Sequence, residues 1–262
     1  MTKYRIQKFP FTRIATIDVC EIGKRKHHVP AMLELDVTDS REKIRLYKRE
    51  KSNKISFTGW LISVIGHTIK KYEFSAAFLK GKNKLVIFEN INVSIVVEKN
   101  VQGQKVPIPL IIEKAQEKSI ESITKQITDA KNQQLNDQET VLHKKTGRLE
   151  KIYYSFPGFI RRQVWRYFSK RPHQAFKKMG NVAFTSIGMM GKVNGWFIPI
   201  SVHPICFGVG SIIKKPAVFD NKIEIRDILN MTILIDHDVI DGADMARFIA
   251  DLTKNIENGL GL

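Results

Sequence analysis

Near the C-terminus the chain reads Ile235-Asp236-His237-Asp238-Val239-Ile240-Asp241-Gly242-Ala243-Asp244, a histidine followed four residues later by an aspartate and then a glycine. An imidazole with an ordinary pKa of about 6.5 can take a proton from a thiol or hydroxyl near neutral pH. The run Ile228 to Ile235 ahead of it is strongly apolar and reads as a strand. A histidine at the mouth of such a strand can be held rigidly while its outer nitrogen faces a channel. Asp241 could fix the turn through an ion pair or backbone hydrogen bonds, and Gly242 would let the chain turn tightly into a helix. On spacing alone, six residues of this kind also fit an ordinary polar turn.

The elements that must position this segment follow from periodicity. His28 to Val37 reads as a strand, with Thr38 or Asp39 as N-cap of a basic amphipathic helix from Ser40 to about Lys51. Residues 1–26 read as basic and irregular. Phe57 to Tyr72 carries Trp60, Leu61, Val64, Ile65 and Ile69 at helical spacing and is a core helix. Short strands are expected at Lys84–Phe88 and Ile91–Glu98. Val106–Ile112 is expected as an edge strand because Pro107 and Pro109 cannot donate to a ladder. A polar amphipathic helix follows from Ser119 to Leu135. Strand patterns return at Val182–Ile187, Val202–Val209, Lys222–Arg226 and Ile228–Ile235, and a last helix runs from about Gly242 to Ile256, ended by Asn258-Gly259. Strands and helices mix without strict alternation, which favours an α+β two-layer sandwich, a mixed sheet with helices on one face.

With 262 residues and 43% hydrophobic content, the chain can bury the core of a single domain over residues 1–262. The two cysteines, Cys20 and Cys206, stand outside any Cys-x-x-Cys pair, so a disulfide framework is not expected and a reducing cytoplasm is the natural setting. No metal site is visible: His27, His28 and His203 have no partners at ligand spacing. No apolar run is long enough to span a bilayer, and Met1 to Pro10 does not read as a secretory signal. The net charge of +17 calls for an anionic partner.

His-x-x-x-Asp-Gly is similar to the signature of the acyltransferase family that includes chloramphenicol acetyltransferase and the catalytic domain of 2-oxoacid dehydrogenase acyltransferases. The fuller Asp236-His237-x-Val239-x-Asp241-Gly242-Ala243 looks more like the second group. The resemblance extends along most of the chain: His28-Val29 to Leu35-Asp36-Val37-Thr38, Tyr72-Glu73-Phe74 with Glu89-Asn90-Ile91-Asn92-Val93, Val106-Pro107 to Ile112, Lys118-Ser119, Phe184-Thr185-Ser186-Ile187-Gly188-Met189-Met190-Gly191, Phe197-Ile198-Pro199-Ile200 and Gly208-Val209-Gly210. It implies a coenzyme A-dependent acyltransferase in which His237 is the general base towards the thiol of coenzyme A, a dihydrolipoyl thiol or a hydroxyl acceptor. A hydroxyl from residues 184–187, Ser186 first and Thr185 second, would donate a hydrogen bond to the tetrahedral oxyanion. Asp241 would be structural and pair with Arg13. The resemblance also implies a homotrimer, with His237 from one chain and the serine strand from its neighbour, and acyl-coenzyme A as substrate. The strand pattern at His28 leaves no room ahead of it for a lipoyl domain, so no lipoyl group of its own is expected. The competing readings are a trimeric scaffold that keeps the fold without the chemistry, and a membrane- or nucleic-acid-binding module that acts through the basic residues 140–179.

One stretch departs from that family. Residues 140–179 carry eleven Lys or Arg against a single acid, Glu150, interleaved with Tyr153, Phe156, Phe159, Trp165, Tyr167, Phe168 and Phe176. Pro157-Gly158 is expected to divide it into two short helices. A lid packed against the trimer edge, an anionic membrane surface and an acidic acyl-carrier protein all suit residues 144–178, whereas a nucleic-acid platform fits less well. A membrane role would place the chain peripherally at the inner face.

Overall fold

A computed structural model describes residues 2–7, 9, 13–50, 54–101, 104–132, 153, 155–188 and 193–262. The elements are α1 (Arg13–Gly23), β1 (His28–Asp36), α2 (Thr38–Glu50), α3 (Phe57–Lys71), β2 (Phe78–Lys80), β3 (Lys84–Val86), β4 (Val93–Val101), β5 (Gln104–Ile112), α4 (Ile120–Asn132), α5 (Gly158–Ser169), α6 (Pro172–Met179), β6 (Val182–Ser186), β7 (Ile205–Phe219), β8 (Lys222–Asp236) and α7 (Gly242–Glu257). Six strands form one mixed sheet in the order β1-β8-β7-β6-β4-β5. The pairs β6–β7 and β4–β6 are parallel and the others antiparallel. The α+β sandwich is borne out, and the proline-bearing β5 lies at the sheet edge as expected.

β8 shows how the sequence sets the two layers. Leu229, Met231, Ile233 and Ile235 alternate into the core shared with α3, α4 and α7, while Asn230, Thr232 and Leu234 point to the other face. α3 is buried almost all round, from Gly59 to Ile69, because it packs between α4 and α7. Ser56 caps it, its hydroxyl accepting from the Gly59 amide at 3.0 Å. Burying Trp60, Leu61, Ile62 and Ile65 removes large apolar side chains from water at about 1.5–3 kcal/mol each. Gly180 precedes β6 at φ +73°, and a Cβ there would lie 2.3 Å from the Asn92 carbonyl oxygen, so only glycine lets the chain enter β6 beside β4.

Several expectations need correction. Residues 13–23 are helical; α1 buries Asp18, Ile22 and Gly23, a narrow stripe within a charged segment. Lys222–Arg226 and Ile228–Ile235 are one continuous strand, and β7 is far longer than Val202–Val209. The β7–β8 turn is made by Asp220 and Asn221, both at positive φ (47° and 60°), as a two-residue hairpin of right-handed twist requires. Pro157-Gly158 does divide the stretch, separating the helical residues Tyr153 and Ser155 from α5, and a second break falls at Lys170-Arg171, where Pro172 starts α6. The end of the Ser119–Leu135 helix, the basic residues Lys144, Lys145, Arg148 and Lys151, and Met189-Met190-Gly191 lie outside the described residues. Among the described residues no helix is long and apolar enough to cross a membrane.

Candidate active site

β8 ends at Asp236, level with His28 on β1. The Asp236 amide donates to the Pro204 carbonyl at 3.0 Å, and the His237 amide donates to the His27 carbonyl at 3.0 Å. His237 is thus pinned by its own backbone, while its side chain stands exposed at the strand end. The Asp236 carboxylate, 1% exposed, accepts from Lys26 Nζ at 2.6 Å and from the Asp238 amide at 3.3 Å. The Val239 amide closes the turn onto the Asp236 carbonyl at 3.1 Å. Removing Lys26 would strand a buried carboxylate, a loss of about 3 kcal/mol.

Three more histidines brace this turn. His27 Nδ1 meets Asp238 Oδ1 at 2.9 Å, and that hydrogen bond to the carboxylate raises the pKa of His27. His28 Nε2 donates to the His203 carbonyl at 2.9 Å, and burial lowers the pKa of His28. His203 Nε2 donates to the Met179 carbonyl at 3.0 Å, and its Nδ1 lies 3.2 Å from the Ser201 hydroxyl. Burial pushes His203 down to about 4, so the ring is held neutral as the Nε2–H tautomer. Sequence spacing shows neither Lys26 nor the role of His27 and His203 at this turn; the His27-His28 doublet is the one visible signal.

Asp241 sits at the N-cap of α7 in extended conformation, its carbonyl accepting from the Met245 amide at 2.9 Å, and its side chain is exposed with no capping hydrogen bond. It forms no ion pair with Arg13. Arg13 is exposed on α1, its guanidinium 6.0 Å from the Phe9 ring centroid, because α1 is oriented by a different contact: the fully buried Asp18 accepts from Arg161 Nε at 2.7 Å. Gly242 is exposed, and a Cβ there would meet nothing within 4 Å, so the tight turn is made upstream at Asp236–Val239 and does not depend on this glycine within one chain.

Ser186 and Thr185 are half-buried at the C-terminal end of β6. Ser186 is level with Val209, and Val209 with Met231; Thr185 is level with Gly208, and Gly208 with Thr232. At about 3.3 Å per residue, Met231 and Thr232 lie roughly 16–20 Å along β8 from His237. The candidate hydroxyls are two strands further across the sheet. A single chain therefore does not bring His237 together with Ser186 or Thr185.

Comparison with known proteins closes the case for kinship. The model of the 2-oxoacid dehydrogenases acyltransferase catalytic domain matches residues 11–144 and 171–262. The dihydrolipoyllysine-residue acetyltransferase component of the Mycoplasma genitalium pyruvate dehydrogenase complex is 28% identical over 226 residues, 85% of this chain and 49% of that protein. The chain spans about half the length of the curated relatives it matches. Among solved structures, a probable dihydrolipoamide acetyltransferase of Listeria monocytogenes superposes with a TM-score of 0.70 at 20% identity, covering 98% of this chain and 95% of that one. The Azotobacter vinelandii dihydrolipoamide acetyltransferase, studied for the catalytic roles of a serine, a histidine and an asparagine, gives 0.68 at 16%, covering 97% and 92%. Chloramphenicol acetyltransferase shares the fold at 0.51 and 8%, covering 98% of each chain. With its sheet, its helical layer and its His-x-x-x-Asp-Gly turn matched over most of its length, the chain belongs to the family of 2-oxoacid dehydrogenase acyltransferase catalytic domains.

Proposed function

We propose that the chain transfers an acyl group between a coenzyme A thioester and a thiol or hydroxyl acceptor, with His237 as general base. The observation that carries this reading is the exposed His237 ring on a backbone anchored to His27 and, through the preceding Asp236 amide, to Pro204. The Azotobacter relative supports it, because its histidine and asparagine are spaced by four positions, as His237 and Asp241 are here. The imidazole takes the thiol proton, and the thiolate sulfur attacks the acyl carbonyl carbon. The tetrahedral oxyanion accepts a hydrogen bond from Ser186, or from Thr185 beside it. Its collapse expels the second thiolate, which takes the proton back from the imidazolium. In a site closed to water one such donor lowers the barrier by ~3 kcal/mol. Dihydrolipoyl thiols are the first acceptor class to try, because the relatives are named for transfer to a dihydrolipoyl lysine.

The register separation argues that the reacting groups come from two copies of the chain, and a homotrimer is the assembly proposed. Free coenzyme A, separated by chromatography after incubation of a panel of acyl-coenzyme A thioesters, acetyl to palmitoyl, with dihydrolipoamide, tests the base. His237→Ala should lose at least ~100-fold in kcat, the lower end of a general-base contribution. Equal rates for the two proteins would remove His237 from the chemistry.

A further inference from the structure

Beside the His237 turn lies a cavity of about 660 Å³. Its wall is built by Arg25 and Lys26 from the turn after α1, Lys82 from the β2–β3 turn, and Arg166 and Lys170 from α5 and its C-cap, over a floor of Asp236 and Asp238. The two carboxylates are already committed, Asp236 to Lys26 at 2.6 Å and Asp238 to His27 at 2.9 Å. Arg25, Lys82, Arg166 and Lys170 have no ion-pair partner among the described residues. The Nε of Arg166 is buried with no hydrogen-bond partner among the described residues. A buried donor left unpaired costs on the order of 1–3 kcal/mol, and four cations around one cavity repel each other, so the site is built for an anion.

Two of these four cations, Arg166 and Lys170, fall within residues 145–170, the segment that the family model does not match. α5 is not loosely tethered there. Arg161 Nε binds the buried Asp18 at 2.7 Å, the Tyr153 hydroxyl reaches the same carboxylate at 3.2 Å, and Trp165 Nε1 donates to that hydroxyl at 2.9 Å. The contact fixes α5 against α1, the helix followed directly by the turn that carries Arg25. An arginine fork flanked by lysines suits phosphate oxygens.

We infer that α5 and its C-cap, through Arg166 and Lys170, add to this family's fold a phosphate-binding subsite beside His237, which holds the phosphoester of a pantetheine thiol. The inference rests on the acyl-transfer reading for the identity of the thiol. The phosphate has two sources, coenzyme A itself or the phosphopantetheine arm of a carrier protein, and the shared chemistry is a phosphoester on pantetheine.

Calorimetric binding of coenzyme A, 4′-phosphopantetheine, 3′,5′-ADP and pantetheine to the full chain tests it. Wild type should bind coenzyme A at least about tenfold more tightly than pantetheine, as charge-assisted contacts require. The double variant Arg166→Gln/Lys170→Gln should shrink that ratio to within about twofold while pantetheine binding holds, and Lys177→Gln, an exposed charge on α6 outside the cavity, should leave it unchanged. A preference kept by 4′-phosphopantetheine assigns the phosphate next to pantetheine, common to coenzyme A and a carrier arm; a preference held by 3′,5′-ADP alone would overturn that assignment. A wild-type ratio near one, or a double variant with the wild-type ratio, would overturn the subsite. The acyl-transfer reading is scored separately: His237-dependent turnover with dihydrolipoamide and an unaltered ratio sinks the subsite alone. Phosphate-dependent binding without turnover keeps the subsite and sinks the transfer reading.

Discussion

At the scale of single residues, the site is an exposed imidazole on a polar platform whose centre, Asp236, is buried. Among the described residues His237 hydrogen-bonds its platform through its backbone amide, and the groups around it hold each other: Asp236 with Lys26, His27 with Asp238, His28 with the His203 carbonyl, His203 with Met179 and Ser201. The motif was legible because its residue types are chemically loaded and closely spaced. The platform was not, because His27, His203 and Asp236 are distant in sequence and meet only when β8 lies against β1 and the 201–204 segment. His203 makes this platform sensitive to acid. Its folded pKa of about 4 lies below the ordinary value near 6.5, so the unfolded chain binds the extra proton first as pH falls. The stabilisation is complete above about pH 6.5 and is lost as pH falls towards 4, amounting to about 2–3 kcal/mol for this partly buried ring. His28, also lowered by burial, acts with the same sign. Urea unfolding at pH 7, 5.5 and 4.5 should show the loss, and His203→Gln, which keeps an amide donor for Met179, should flatten the profile. A wild-type stability constant across that window would contradict the neutral buried ring.

At the scale of elements, periodicity served best where one face of an element meets the core. α3 and α7 were read nearly to the residue because their apolar positions recur at helical spacing, and β5 was assigned to an edge by its prolines. α1 was read as irregular because its buried stripe centres on an acid, Asp18, whose partner Arg161 lies far along the chain. β8 was split because Ile223 and Ile225 stand exposed outside the core while Ile228 to Ile235 are buried on both faces, a change of environment within one strand. The Asp18–Arg161 contact is the element-scale hinge pin, an ion pair with side chains 0% and 13% exposed. Breaking one partner of such a buried pair costs about 3–5 kcal/mol, and Asp18→Leu removes the charge that α5 docks upon. Hydrogen exchange should rise across 158–169 in that variant, with β8 and α3 protected as in wild type. The double change Asp18→Leu/Arg161→Met, which leaves no buried charge unpaired, should restore much of the protection. Unchanged exchange in Asp18→Leu would mean that α5 is held by its aromatic contacts instead.

At the scale of the whole molecule, the question is how residues about 16–20 Å apart along the sheet can act on one acyl group. β6 runs parallel to β7 and enters the sheet at Val182, level with Ile205 and Ile235, so its N-terminal end is the one near the His237 turn. Ser186 and Thr185 are carried to the far end by the strand direction alone, and no side-chain movement closes that distance. A second copy can close it, with His237 of one chain facing the β6 hydroxyls of the next, and in a closed ring each interface then holds one complete site. The exposed Val218, Ile223 and Ile225 at the hairpin tip and Met32 and Val96 on the outer sheet face are apolar surface that such packing would cover. The arrangement predicts complementation between two inactive variants. His237→Ala supplies the hydroxyls and Ser186→Ala supplies the histidine, so a site regains both groups only where a Ser186→Ala chain offers its His237 to a His237→Ala neighbour. With equal amounts unfolded together and reassembled at random, each interface has that ordered pairing with a chance of one half squared, so activity should return to about one quarter of wild type. Mixing the folded variants without dissociation should give no recovery. If the reassembled mixture stays as inactive as either parent while wild type treated the same way recovers, both groups act within one chain. The register of β6, β7 and β8 argues against that outcome, since it would require Ser186 to leave the strand that holds it.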